Sequence, residues 1–130
     1  MKNTRMAVAS LAALAIAVFL VAGVASAHHG TANYNTDKSV TVKGTITEFD
    51  FVNPHVLVYM NVESDGKTEK WQGELTSPNH LARAGWHKDT LQVGQVIEMS
   101  GFPAKSGAPE IWIQHISKAD GTQIDTRGGN

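Results

Sequence analysis

Beyond residue 39 apolar and polar side chains alternate with a period of two in several separate stretches, the pattern of strands that bury one face. Val40, Val42, Gly44 and Ile46 alternate with Thr41, Lys43, Thr45 and Thr47 in the first. Gly44 has no side chain to pack, which predicts a bulge or sharp bend that lets one long strand serve two sheets. Asn53-Pro54 ends that run, because proline donates no backbone hydrogen bond and restricts its predecessor. Val56, Val58, Met60 and Val62 form the next row, opposite His55, Leu57, Tyr59 and Asn61. Ser64-Asp65-Gly66-Lys67 predicts a hairpin turn with Gly66 at positive φ, and a third strand is expected over Thr68 to Leu75. Ser77-Pro78-Asn79 supplies an N-cap and a proline suited to a first helical turn, so a short helix is predicted over His80 to Ala84 and stopped by Gly85. Val96 to Phe102 and Glu110 to Ser117 read as two more strands around a loop over Ala104 to Pro109, and Asp120-Gly121 marks a turn.

Three strands, a short helix and two strands, with the first strand bent, is the order of the oligonucleotide/oligosaccharide-binding (OB) barrel. The expected fold class is therefore all-β with one short helix, a small five-stranded OB-like barrel; a small sandwich would share the pattern. The barrel domain is expected over residues 39–124. Polar residues 28–38 lack periodicity and predict a flexible N-terminal arm, and residues 125–130 predict a disordered tail.

The first 27 residues are of another kind. Lys2 and Arg5 precede an uncharged run from Met6 to Ala27 that ends in Ala25-Ser26-Ala27, a small-x-small site of the sort signal peptidases cut. Cleavage after Ala27 is expected, with Gly23-Val24-Ala25 as a second site. Uncleaved, the same run would be an anchor, the one route to a membrane. The expected location is periplasmic or secreted. Without Lys2 and Arg5, nine of the 11 basic side chains remain against 12 acidic ones, a net charge of −3. These bases are scattered, whereas phosphate backbones demand clusters, so no nucleic-acid partner is expected. The 130 residues contain no cysteine, which excludes disulfides and thiol chemistry and leaves the core to hold the fold unaided.

His28-His29 after the leader, Gly44, Asn53-Pro54-His55, Trp71, Glu74, Ser77-Pro78-Asn79, Gly85-Trp86, Leu91 with Gly94, and Asp120-Gly121 together carry a likeness. On these residues the chain resembles an uncharacterised family of small secreted bacterial proteins, a domain of unknown function. Phe51 stands where the resemblance would put tryptophan. The resemblance implies export and a barrel-like fold, and it carries over no catalytic residue.

Six histidines, His28, His29, His55, His80, His87 and His115, are the strongest chemical signal. Cleavage after Ala27 would give His28 a free α-amine, and that amine with its own imidazole chelates one metal ion in a compact ring. Nitrogen donors in a roughly planar set suit Cu(II), which also tops the divalent affinity order. His29 or His55 would add a third nitrogen. A second constellation, Asn53, His55, Tyr59, Glu74 and Trp86, is expected to form a ligand patch on the strand-two and strand-three face that such barrels use. Glu74 also reads as an acceptor for free amides at the helix start. Trp71, Trp86 and Trp112 read as core or barrel-plug residues, and His115 as a barrel-end residue continuing the Ile111, Ile113 row. No Gly-x-Ser-x-Gly elbow, Gly-rich phosphate loop or His-Glu-x-x-His helix is present. The function expected is a non-enzymatic exported module for a small ligand, metal ion or protein partner, with copper binding through His28, His29 and His55 foremost. A periplasmic adaptor meeting a protein or glycan through the Asn53-Pro54-His55 and Trp86 face is the alternative, and a hydrolase acting through His55 or Glu74 a third.

Overall fold

A computed structural model describes residues 30–127. The leader at 1–27 and its cleavage site, His28 and His29, and residues 128–130 lie outside the described residues. The elements are β1 (Val40–Asp50), β2 (Leu57–Ser64), β3 (Lys67–Glu74), α1 (Pro78–Ala82), β4 (Val96–Pro103), β5 (Glu110–Lys118) and a two-residue β6 (Gln123–Ile124).

The strand order is β3-β2-β1-β4-β5-β6, and a parallel pairing of Gln72–Glu74 in β3 with Glu110–Trp112 in β5 closes the first five strands into a barrel. This is an OB-like barrel with its helix between the third and fourth strands, as the order of elements predicts. β1 serves both halves. Val40–Thr45 pair with β4, and Thr45–Asp50 pair with β2. Gly44 sits where the strand changes neighbours, but it is not itself the bulge. The register shift falls between Ile46 and Glu48. Gly44 is needed for close approach instead, since a Cβ there would lie 2.3 Å from the carbonyl oxygen of Asn61.

Val56, Val58, Met60, Ile97, Met99, Ile111, Ile113 and Ile116 point inward and are buried, as the period-two rows require. Each such side chain contributes about 1.5–3 kcal/mol of transfer free energy. The Asp65-Gly66 turn has positive φ at both residues, 53° and 74°, the twist that a tight antiparallel hairpin needs. Ser77 caps α1 by accepting from the His80 amide. The helix runs two residues earlier than the expected His80 to Ala84 and ends at Ala82; the chain reverses at Gly85, at φ 82°, where the Trp86 amide turns back to the Leu81 carbonyl at 3.1 Å. Among the described residues no helix is long and apolar enough to cross a membrane.

Both ends of the described chain depart from expectation. The arm expected to be flexible docks on the barrel, where Tyr34 is 4% exposed and forms an isolated bridge with Ala104. Asn35 donates to the Pro103 carbonyl at 2.8 Å, and Lys105 donates to Asn33 at 2.9 Å. Of the tail expected to be disordered, residues 125–127 are also held. Thr126 is buried and its hydroxyl donates to the Gln114 carbonyl at 2.6 Å, while His80 Nε2 donates to the Arg127 carbonyl at 2.7 Å. A polar segment gives no periodic signal when barrel strands, rather than its own neighbours, supply its hydrogen-bond partners.

Candidate functional site

Three strands bring the site together on the outer face of the barrel. Glu74 at the end of β3 pairs with Leu57 of β2 on one side and Trp112 of β5 on the other, so ladders on both edges fix its backbone. Leu57 points outward like Glu74, and His55 lies two residues earlier in the same row. That spacing lets the His55 Nδ1 meet the Glu74 Oε1 directly. The second oxygen of Glu74 accepts the Tyr34 hydroxyl at 2.5 Å. The Trp112 ring stands edge-to-face with the His55 ring, centroids 5.5 Å apart at 85°, and meets the Tyr34 ring at 5.8 Å. His55 and Glu74 remain 30% and 19% exposed, so the cluster is packed yet open to solvent.

Sequence reasoning finds His55 and Glu74 but misses Tyr34 and Trp112. An aromatic residue alone in the polar stretch Thr31 to Lys38 is the available signal for Tyr34. Trp112, expected in the core, is half-buried and serves instead as the wall between Tyr34 and His55. Glu74 does not cap the helix, because Ser77 takes that place and both carboxylate oxygens turn to His55 and Tyr34.

Three residues of the expected patch lie elsewhere. Trp86 is 4% exposed, packs against Phe49 with ring centroids 6.2 Å apart, and donates its indole N–H to the Asp125 carbonyl at 2.5 Å. It follows the helix stop and is carried into the core with Leu81, so it belongs to no ligand surface. Asn53 is exposed in the β1–β2 loop. Tyr59 shares the outer row with His55 but lies next to Lys70, whose ammonium sits 5.2 Å from its ring centroid. Together with Trp71, Gln72, Pro109 and Glu110 it lines a shallow groove.

The remaining histidines do not converge. His87 accepts from the Asp89 amide, and His115 is exposed. The row Ile111, Ile113 does not continue to His115, since a register shift opposite Ser100 and Gly101 inserts Gln114 and turns Ile116 inward instead. Among the described residues no three histidine or carboxylate side chains cluster at metal-holding distance.

Burial, followed by the hydrogen bond to Glu74, pushes the Tyr34 phenol far above the ordinary tyrosine range, so it stays a protonated donor. A phenol whose folded pKa is raised stabilises the fold fully below the unfolded value and loses that contribution as pH rises. Folding stability should therefore fall above about pH 10. In Tyr34→Phe the fall should be smaller, as followed by urea denaturation across pH 8 to 11. Equal slopes in the two proteins would show that Tyr34 does not carry the effect. Desolvation, followed by the nearby carboxylates of Asp50, Glu48 and Glu110, likewise raises the Tyr59 phenol.

A protein-family model described as "Family of unknown function (DUF6152)" matches residues 14–112. No curated protein matches the chain. Among solved structures it is similar to the mitochondrial single-stranded DNA binding protein Rim1 of S. cerevisiae, at 12% identity and a TM-score of 0.49, over 63% of this chain and 93% of that one. It is also similar to TiaS in its complex with a transfer RNA and ATP, at 17% identity and a TM-score of 0.44, over 65% of this chain and 19% of that one. A ZRD-deleted TiaS with agmatine matches at 19% identity and a TM-score of 0.46, over 73% of this chain and 26% of that one.

Proposed function

The chain belongs to the DUF6152 family of unknown function, and from that premise we propose that it is an exported, non-enzymatic binding module that takes Cu(II) at its processed amino terminus. The donors are the α-amine and imidazole of His28, with His29 and His55 completing the nitrogen set. One observation carries the reading: Gly30 and His55 lie against the same indole. A Cβ on Gly30 would come within 3.1 Å of the Trp112 Cη2, and the His55 ring meets that ring edge-on. Consecutive Cα atoms are about 3.8 Å apart, so His29 and His28 are tethered within roughly 8 Å of Gly30. On this reading His55 is a third ligand, supplied by the barrel, to a pair of histidines that alone would chelate weakly.

Charge favours the same reading. Glu48, Asp50 and Glu110 lie near Tyr59 and Glu74 near Tyr34, carboxylates that would favour a cation over a phosphate backbone. The adaptor reading loses its indole, because Trp86 is buried. Export itself rests on the leader, and intact mass of the secreted protein is the measurement that tests it, the expected amino terminus being His28.

The test is titration of Cu(II) into protein beginning at His28, followed by tryptophan emission, which bound Cu(II) quenches at Trp112. One additional residue ahead of His28, or His55→Ala, should each weaken binding at least about tenfold, that is about 1.4 kcal/mol. Affinity unchanged by either alteration would remove the proposed site.

A further inference from the structure

Residues 125–127 do more than cover the barrel, because they roof a cavity that takes no part in the site around His55. We propose that this cavity binds a small carboxylate anion whose apolar body is about the size of a benzene ring.

Three parts of the fold make the space. Its floor is apolar: Leu75, just beyond β3, and Ile113 of β5 line it and are 1% and 3% exposed, both within the core. Trp112 and Gln114 line it from β5. They flank the inward Ile113, and Gln114 is the extra residue that the register shift opposite Ser100 and Gly101 gives this strand. Thr126 and Arg127 complete the lining from above. That segment is held at three points, by the Trp86 indole on the Asp125 carbonyl at 2.5 Å, by the Thr126 hydroxyl on the Gln114 carbonyl at 2.6 Å, and by His80 Nε2 on the Arg127 carbonyl at 2.7 Å. Tied to the core, to β5 and to α1, the roof spans the space instead of collapsing into it.

Size limits the ligand. The cavity measures about 190 Å³. An apolar cavity of about 150 Å³ accommodates benzene, so this one takes a ring or a branched aliphatic group with room for one small polar head. An apolar floor with a few polar groups at its rim is the usual build of a small-molecule site.

The rim selects the charge of that head. None of the lining residues is acidic, whereas His80 and Arg127 are both bases. His55 with Glu74 is the one ion pair among the described residues, so the Arg127 guanidinium meets no carboxylate there. Asp125 turns an oxygen to the Arg127 amide instead. A planar guanidinium pairs with a carboxylate through two parallel hydrogen bonds. Thr76 and Gln114 line the same space and carry a hydroxyl and an amide, further donors for an oxygen. A phosphate dianion fits less well, because one guanidinium would leave half its charge unpaired beside the apolar floor, where unpaired charge is costly.

Nothing in this site involves a metal, and its test is kept apart from the copper reading. The chain freed of residues 1–27 is labelled with ¹⁵N and titrated with sodium benzoate while a chelator is present, with acetate and benzyl alcohol as comparisons. Benzoate should move the amides of Thr76, Gln114 and Thr126 and the Trp112 indole saturably, with a dissociation constant of about 1 mM or below. Acetate lacks the apolar body and benzyl alcohol lacks the charge, so each should bind at least about tenfold more weakly. Arg127→Gln should weaken benzoate about tenfold and leave benzyl alcohol unchanged. That side chain is exposed and the His80 bond goes to its backbone, so the variant keeps the fold. No saturable shift at these four positions with benzoate at about ten times the expected constant overturns the site. Benzoate held equally well by Arg127→Gln, or benzyl alcohol bound as tightly as benzoate, overturns the assignment of a carboxylate ligand.

Discussion

Gly101→Ala should be the most damaging single-methyl change in the barrel, lowering stability by about 3–5 kcal/mol. Gly101 faces the point where β5 carries one extra residue, Gln114, relative to β4. A Cβ at that position would lie 2.0 Å from the Trp112 carbonyl oxygen and 2.9 Å from the Gln114 nitrogen. Both atoms are backbone, held in the β4–β5 ladder that contributes to barrel closure, so neither can retreat without breaking pairs such as Phe102 with Trp112. For a domain of this size the loss corresponds to a fall in Tm on the order of 15–25 °C. Gly73→Ala is the internal comparison. Its Cβ would press on Ile113 Cδ1 at 2.4 Å and Met99 Sδ at 2.6 Å, ends of flexible side chains that can rotate away, and should cost about 1–3 kcal/mol. Thermal and urea denaturation of the two variants decides the matter, and a Gly101→Ala protein no weaker than Gly73→Ala would refute the packing argument.

Trp86→Ala comes next, at about 3–5 kcal/mol. The change empties the space beside Phe49 and removes the indole donor from the Asp125 carbonyl, which fastens the end of the chain over the helix. Residues 125–127 should loosen with it, since Thr126 and Arg127 follow directly in the same docked segment. Denaturation midpoints measure the first effect and amide hydrogen exchange at Thr126 the second. A tryptophan that served only to receive a partner would leave both unchanged, so a Trp86→Ala protein of wild-type stability would restore the adaptor reading and withdraw the assignment to the core.

The two variants also mark where the alternation of side chains stops being informative. Alternation tells correctly that Val56, Val58 and Met60 face inward, because a strand's own geometry sends successive residues to opposite sides. It misplaces His115 because the extra residue at Gln114 reverses the alternation, and a bulge depends on the neighbouring strand rather than on the row containing it. Gly44 shows the same limit from another side. A glycine in a strand signals something unusual, but only the approach of Asn61 shows that the cause is a crossing backbone.

For the candidate site, residue types are legible and their company is not. His55 stands out beside Asn53-Pro54, and Glu74 before Ser77-Pro78, yet Glu74 lies 19 residues from His55 and 40 from Tyr34. Trp86 falls outside the patch for a related reason. A Gly-Trp pair after a helix stop has no period to say which way the indole points, and the chain reversal at Gly85 turns it inward.

By itself, then, the sequence determined the export leader as an expectation, the disulfide-free core, the order of strands and helix, and the inward rows, since all of these follow from local composition and the period of the backbone. Tertiary structure alone decided that a polar arm docks, that the last described residues are held, and that Tyr34, His55, Glu74 and Trp112 meet. The reason is physical: outer-face neighbours are fixed by which strands lie side by side, and in a closed barrel strand pairing joins residues far apart along the chain.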